Sequence, residues 1–146
     1  MTENKTPPET LLEQHLKYLK LSFMREHHQD LAKQAAKKQW SHLDYLEQLA
    51  EQEAAQRRDR ATERRIRMAR FPVVKTIEEF NWSWPKNINR LQVQNLFRLQ
   101  FIKDKSNVIF LGGVGLGKTH LASALGYAAC LKGSTVLFTT AIDIIN

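Results

Sequence analysis

From Thr10 onward apolar residues recur at helical spacing, with Leu11, Leu12, Leu16 and Leu19 forming a stripe that runs through Leu21. A second helix is predicted over Phe23–Gln39. Ser41 with Asp44 three residues later is close to a capping box, and no Gly or Pro follows until Pro72, so one helix of roughly 28 residues is expected next. On a wheel of ~100° per residue, Leu43, Leu46, Ala50 and Ala54 fall within about 80°, which predicts a narrow core-facing stripe on its first half. The preceding residues 1–9, with Pro7 and Pro8, read as a frayed tail.

Pro72 ends this helical stretch and makes Phe71–Val74 an extended linker. Thr76 with Glu79 can cap a short turn through Phe80. Trp82 and Trp84 then precede Pro85, a pattern that either pins a linker onto a domain or offers a ring to stack on a base or on adenine. Asn87 is a candidate cap for a helix through Phe101 carrying Leu91, Leu96 and Leu99. The period changes afterwards: Asn107–Leu111 reads as a short apolar strand, His120–Leu131 as a helix closed by Lys132 and Gly133, and Thr135–Thr139 as a second buried strand. Ala141–Asn146 begins another helix.

The 146 residues are 42% apolar and 25% charged, which suits a soluble globular protein, and the longest apolar runs are far too short to span a bilayer. The first residues, MTENKTPPE, are polar and acidic where a signal peptide is basic and then apolar, so a cytoplasmic, membrane-free protein is expected. A single cysteine, Cys130, excludes an internal disulfide and a cysteine-based zinc site, and it reads as a small buried hydrophobe. His27 and His28 are adjacent on a helix and diverge by about 100°, while His15, His42 and His120 lack ligand spacing, so no histidine metal site is expected.

Charge changes the picture more than composition does. The net charge of +7 is concentrated in residues 57–70, where seven arginines stand against Asp59 and Glu63. Continuing the same wheel, Arg57, Arg64 and Arg65 land on or beside the apolar stripe, and Arg58, Arg60 and Arg67 widen the basic arc to about 180°. Three readings fit this arc: a solvated helix end, the phosphate backbone of DNA or RNA, or an acidic protein partner. No residue here is positioned to read bases, so a nucleic-acid contact would be sequence-independent and salt-sensitive.

The chemistry lies in NVIFLGGVGLGKT, residues 107–119. Gly112 and Gly117 are five apart and Lys118 and Thr119 follow, completing the G-x-x-x-x-G-K-[ST] phosphate-binding loop (Walker A) between an apolar run and a helix. Glycines let the backbone curl so that its N–H groups face a polyphosphate. Lys118 is expected to reach the β- and γ-phosphates, Thr119 to ligate Mg²⁺, and the following helix to present its positive end. The nucleotide-binding candidates are therefore Gly112, Gly113, Val114, Gly115, Leu116, Gly117, Lys118, Thr119 and His120, with ATP and Mg²⁺ as cofactors.

In the order of these features the chain resembles the IstB-like helper ATPases of insertion sequences, relatives of the DnaC and DnaA group within the AAA+ proteins. The resemblance covers nearly the whole chain and rests on RRIRMARFP, KTIEEFNW, NVIFLGGVGLGKTHLASALGYAAC and GSTVLFTTAIDIIN. It implies an α/β fold class: an N-terminal all-α domain over 1–70, a linker over 71–86, and over 87–146 the first portion of a P-loop (AAA+) parallel-sheet domain, truncated. It also implies an ATP-binding helper for DNA transposition that acts with a transposase on DNA and self-associates when full-length, with Ile77–Trp82 near the adenine. A replicative helicase loader shares this core, and a helical interaction module over residues 10–70 carrying a non-functional ATPase remnant is the alternative from another class. Gly113 and Val114 stand where many AAA+ loops have prolines, which loosens the loop without removing a phosphate ligand.

Hydrolysis requires an acidic pair at a strand end and an arginine to stabilise transition-state charge. Thr135–Thr139 leads instead into TAID, so no catalytic set is complete, and strands that the resemblance places between the two expected ones are absent. An N-terminal fragment of a longer ATPase is the expectation. This chain should bind nucleotide weakly and turn it over negligibly; ATP hydrolysis at ordinary ATPase rates, lost on Lys118→Ala, would contradict that.

Overall fold

Thr10 starts the first helix as the pattern predicts. Its hydroxyl accepts from Glu13 N at 3.2 Å and its own N–H donates to Glu13 Oε2 at 2.7 Å, closing a capping box. Ser41 does the same for the long helix: its N–H and hydroxyl both donate to Asp44 Oδ2, at 3.0 and 2.7 Å, while Asp44 N returns a bond to Ser41 Oγ at 3.1 Å. These bonds hold both carboxyls below their ordinary range, Glu13 chiefly through the Thr10 backbone and Asp44 chiefly through the Ser41 side chain.

The computed structural model describes residues 9–84 and 88–145. In chain order the elements are α1 (Leu11–Tyr18), α2 (Ser22–Lys38), α3 (His42–Met68), α4 (Arg90–Leu96), α5 (Gln100–Lys103), α6 (Lys118–Leu131) and α7 (Ala141–Ile145). The chain divides into two compact units, Met1–Arg60 and Ala61–Asn146, with the division inside α3.

In the first unit, packing is decided by helix ends. The first N–H groups and last carbonyls of a helix have no partner within it. The cap position of α2 is Leu21, which has no side-chain acceptor, and the need is met by Glu53 from α3, whose carboxylate accepts from Met24 N at 3.2 Å. Arg57, one turn later, pairs with Glu53 at 3.3 Å and donates to the carbonyls of Leu19 and Lys20 at the end of α1. Ser22 Oγ donates to Gln56 and accepts from Arg60, and Tyr45 Oη donates to the His28 carbonyl at 2.9 Å.

These polar contacts turn α3 so that Leu49 and Glu53 are buried, at 6% and 3% exposure. Of the expected stripe, Leu43, Leu46 and Ala50 are exposed, Leu43 by 76%, and Ala54 is half-buried; the centre of that stripe lies about 80° on the wheel from the centre of Leu49 and Glu53.

The second unit is built around α6, which buries Leu121, Ser123, Ala124, Leu125, Ala129 and Cys130. Leu121 packs with Phe80 and Val93, and Leu125 and Ala129 with Leu99; Phe97 and Phe110 touch both clusters. The end of α3 and the residues after it lie against the far half of α6. Arg65 Nε donates to the Cys130 carbonyl at 3.1 Å, Ala69 is fully buried, and its carbonyl accepts from Phe138 N at 2.7 Å. Phe71 packs over Gly126, where a Cβ would lie 2.8 Å from its ring.

Two expectations are corrected here. The helix expected through Phe101 is two helices, because Leu99 adopts a left-handed conformation (φ 59°) that breaks it. Asn89 caps the first of them by accepting from Gln92 N at 3.0 Å, while the expected cap Asn87 lies outside the described residues.

The larger correction concerns fold class. The described residues are all-helical, and the portion of a parallel sheet expected over 107–111 and 135–139 is not seen. A strand exists through its ladder of hydrogen bonds to a neighbour. Among the described residues no backbone hydrogen bond outside the helices reaches Asn107–Leu111, and Thr135–Thr139 has one, from Phe138 to Ala69. Side-chain alternation survives without pairing: Val108 and Phe110 are half-buried, whereas Ile109 and Leu111 are 76% and 89% exposed.

Glu53→Ala should leave Met24 N and Arg57 Nε without their acceptor. Urea unfolding should show a loss of about 2–3 kcal/mol, with a smaller loss for Glu53→Gln, which can still accept from Met24.

Candidate nucleotide-binding site

The loop begins where the apolar run ends. Gly112, Gly115 and Gly117 all have positive φ (155°, 79° and 80°), and Gly117 is the residue from which α6 starts. Gly115 and Gly117 lie in the region where a Cβ would clash with the backbone, which is the physical reason the turn carries glycines there. Because α6 begins at Lys118, its unpaired N–H groups and positive dipole end face the loop.

Lys118 Nζ donates to the Gly113 carbonyl, so the ammonium folds back over the loop. Thr119 is exposed in the first turn of α6, and Gly113, Val114 and Gly115 are exposed at the tip of the loop. Leu116 turns inward, with its Cδ1 3.1 Å from where a Gly112 Cβ would lie. An adjoining cavity of about 580 Å³ is walled by α4, residues 107–111, Leu116, Lys118 and Leu121. Its volume is that of a small-ligand site, and Asn89, Gln92, Asn107 and Lys118 supply polar groups to an otherwise apolar lining.

His120 serves a different purpose from its eight candidate neighbours. Its Nε2 lies 2.9 Å from the Thr76 carbonyl, so this nitrogen carries the proton and donates, and its ring meets Phe80 edge-on at 5.3 Å. Phe80, 6% exposed, also underlies Gly117: a Cβ there would lie 2.6 Å from the Phe80 ring. Trp82 stacks edge-on against Phe80 at 5.0 Å and takes the Arg90 guanidinium on its face at 4.9 Å. The stretch that the resemblance puts beside adenine thus includes Phe80 and Trp82, which here form the apolar support beneath the loop. Trp84 is 58% exposed.

Thr76 and Glu79 make the expected turn, with Thr76 N donating to Glu79 Oε2 at 3.1 Å. The interlock of Phe80, Gly117 and His120 was not foreseen. Only the placement of Ile77–Trp82 near the adenine, which the resemblance implies, points toward it.

The six candidate arginines divide by environment. Arg57 and Arg60 in the first unit bond α1 and α2 groups, and Arg65 in the second bonds Cys130 and, through Nη2 at 2.8 Å, Thr62 Oγ1. Arg58, Arg64 and Arg67 are exposed. Cys130 is fully buried and burial pushes its thiol up, in keeping with a packing role. No group of three or more metal-ligating side chains occurs among the described residues, and no helix there is long and apolar enough to cross a membrane.

With the glycine loop and its helix in place, comparison with known proteins is decisive. The profile of the IstB-like ATP binding protein family matches residues 14–146. This chain belongs to that family. It is 42% identical over 127 residues to a protein of insertion sequence IS21 from Pseudomonas aeruginosa, provisionally named as ATP-binding; the match covers 87% of this chain and 48% of the relative. A similarly named protein of IS5376 from Geobacillus stearothermophilus is 33% identical, covering 88% and 51%, and one of IS232 from Bacillus thuringiensis is 31% identical, covering 90% and 52%. The IstB-like chain therefore spans about half the length of these curated relatives.

Gly117→Ala should force a Cβ into the Phe80 ring in a left-handed conformation. A loss of about 1–3 kcal/mol in thermal unfolding is expected, together with weaker nucleotide binding, whereas Gly115→Ala, with open space around it, should cost less.

Proposed function

We propose that this IstB-like chain binds ATP with Mg²⁺ through Gly112–Thr119 and serves as an ATP-binding helper in DNA transposition, meeting DNA without sequence preference and working with a transposase. The observation that carries the nucleotide reading is the left-handed pair Gly115 and Gly117 leading directly into α6, with Lys118 bent over the loop. A chain curled this way gathers N–H groups on one side, and the helix end adds a positive potential at the same point.

The donor set fits the cofactor. Lys118 would exchange its Gly113 carbonyl for phosphate oxygens, a stronger partner because both groups are charged. Thr119 offers one hydroxyl for Mg²⁺, which ordinarily keeps several waters and shares its remaining ligands with the phosphates. The bound metal would neutralise phosphate charge. His120, already bonded to the Thr76 carbonyl, would position the start of α6 rather than touch nucleotide.

Support for the transposition role is that relatives along most of this chain are proteins of insertion sequences. Since the chain spans about half of those relatives, self-association and partner activation are proposed for the whole protein only.

Titration with a fluorescent ATP analogue in Mg²⁺ should give saturable binding. Lys118→Ala should weaken it by roughly 10–100-fold, the equivalent of losing about 1.5–3 kcal/mol of charged hydrogen bonding. Binding that is indifferent to Lys118 would refute the site, and co-purification with a replicative helicase instead of a transposase would refute the role.

A further inference from the structure

The basic run is not a single surface. On the last turns of α3, Ala61, Thr62, Arg65, Ile66 and Ala69 are the residues withdrawn from solvent, and at 100° per residue they occupy one arc of about 140°. Arg64 and Arg67 fall on the opposite side, about 60° apart and one turn along the axis. Arg70 follows in a left-handed conformation (φ 56°) and is also exposed. Among the described residues no carboxylate forms an ion pair with any of these three, and none of their side chains donates a hydrogen bond to the protein.

Their backbone, by contrast, is fastened. Arg65 grips the Cys130 carbonyl at the end of α6, the Ala69 carbonyl accepts from Phe138, and Phe71 is seated on Gly126. Three unpaired guanidinium groups are thus held on an anchored segment.

Resting on the DNA-helper reading, we infer that Arg64, Arg67 and Arg70 form the surface on which this chain meets nucleic-acid phosphate, and that Arg57, Arg60 and Arg65 do not take part. The last three already have partners that hold the fold together. Arginine suits the role because its planar fork can bond two phosphate oxygens at once. With no base-reading element among these residues, affinity should follow counterion release and not sequence.

The test is fluorescence anisotropy of labelled duplex DNA across a salt series, using all 146 residues of this chain. The triple substitution Arg64→Gln, Arg67→Gln, Arg70→Gln should weaken binding at least tenfold near 0.1 M salt. It should also reduce the log–log salt slope by about 3, close to 0.9 per phosphate contact. Removing the same charge elsewhere, with Lys33→Gln, Lys37→Gln and Lys103→Gln, should change affinity less than threefold. The Arg→Lys triple at 64, 67 and 70 should keep the slope, and unchanged far-UV helicity should show that all variants fold.

Equal losses in the two Gln triples, or an unchanged slope in the arginine triple, would overturn this surface while leaving the DNA reading intact. Tighter binding to poly-glutamate than to duplex would assign it to an acidic protein instead. No duplex binding by the parent chain would overturn the DNA reading and the surface together.

Discussion

Every helix ends in polar groups that its own hydrogen-bond ladder cannot satisfy, and in this IstB-like protein much of the architecture answers that constraint. Glu53 accepts from the start of α2 and Arg57 donates to the end of α1. Arg65 takes a carbonyl from the last turn of α6, and Lys132 reaches the carbonyl of Phe97, which closes α4, at 3.4 Å. Charged side chains thereby become structural, which is why part of an arginine-rich run is unavailable to any partner. The orientation of α3 that meets the termini of α1 and α2 places Leu43 on the outer side of the helix, where it is exposed.

The start of α6 is left open to meet its needs differently. Its first N–H groups face a glycine loop, and the protein braces that loop from below with Phe80 under Gly117 and His120 bonded to the Thr76 carbonyl. The support is apolar and tightly packed, while Val114 at the tip is fully exposed. The start of α6 is thereby fixed, while the tip of the loop stays accessible.

How much could be read from the chain depends on the range of the interaction. The helix start at Thr10, the cap of Ser41 with Asp44, the turn at Thr76, the glycines of the loop and the start of α6 all depend on residues within about five positions of one another, and all of these are found as expected, whereas the capping box that Glu13 completes at Thr10 is shown by the structure. The two expected strands are different. Their alternation is present in Val108 to Leu111, but a strand requires a neighbour whose identity is not encoded in the segment itself, and among the described residues that neighbour is missing. The break at Leu99 was equally hidden, since no Gly or Pro marks it.

The sequence by itself determined the local form of residues 112–119, because G-x-x-x-x-G-K-T prescribes backbone conformation, charge and a helix end within eight residues. It also determined the family, through motifs spread along the chain. Tertiary structure alone decided which arginines are spent on the fold and which face solvent, which stripe of α3 is buried, and that Phe80 and His120 brace the loop. Those outcomes turn on contacts between residues 29 to 65 positions apart in the chain, where a helical wheel can give direction but not what lies in that direction.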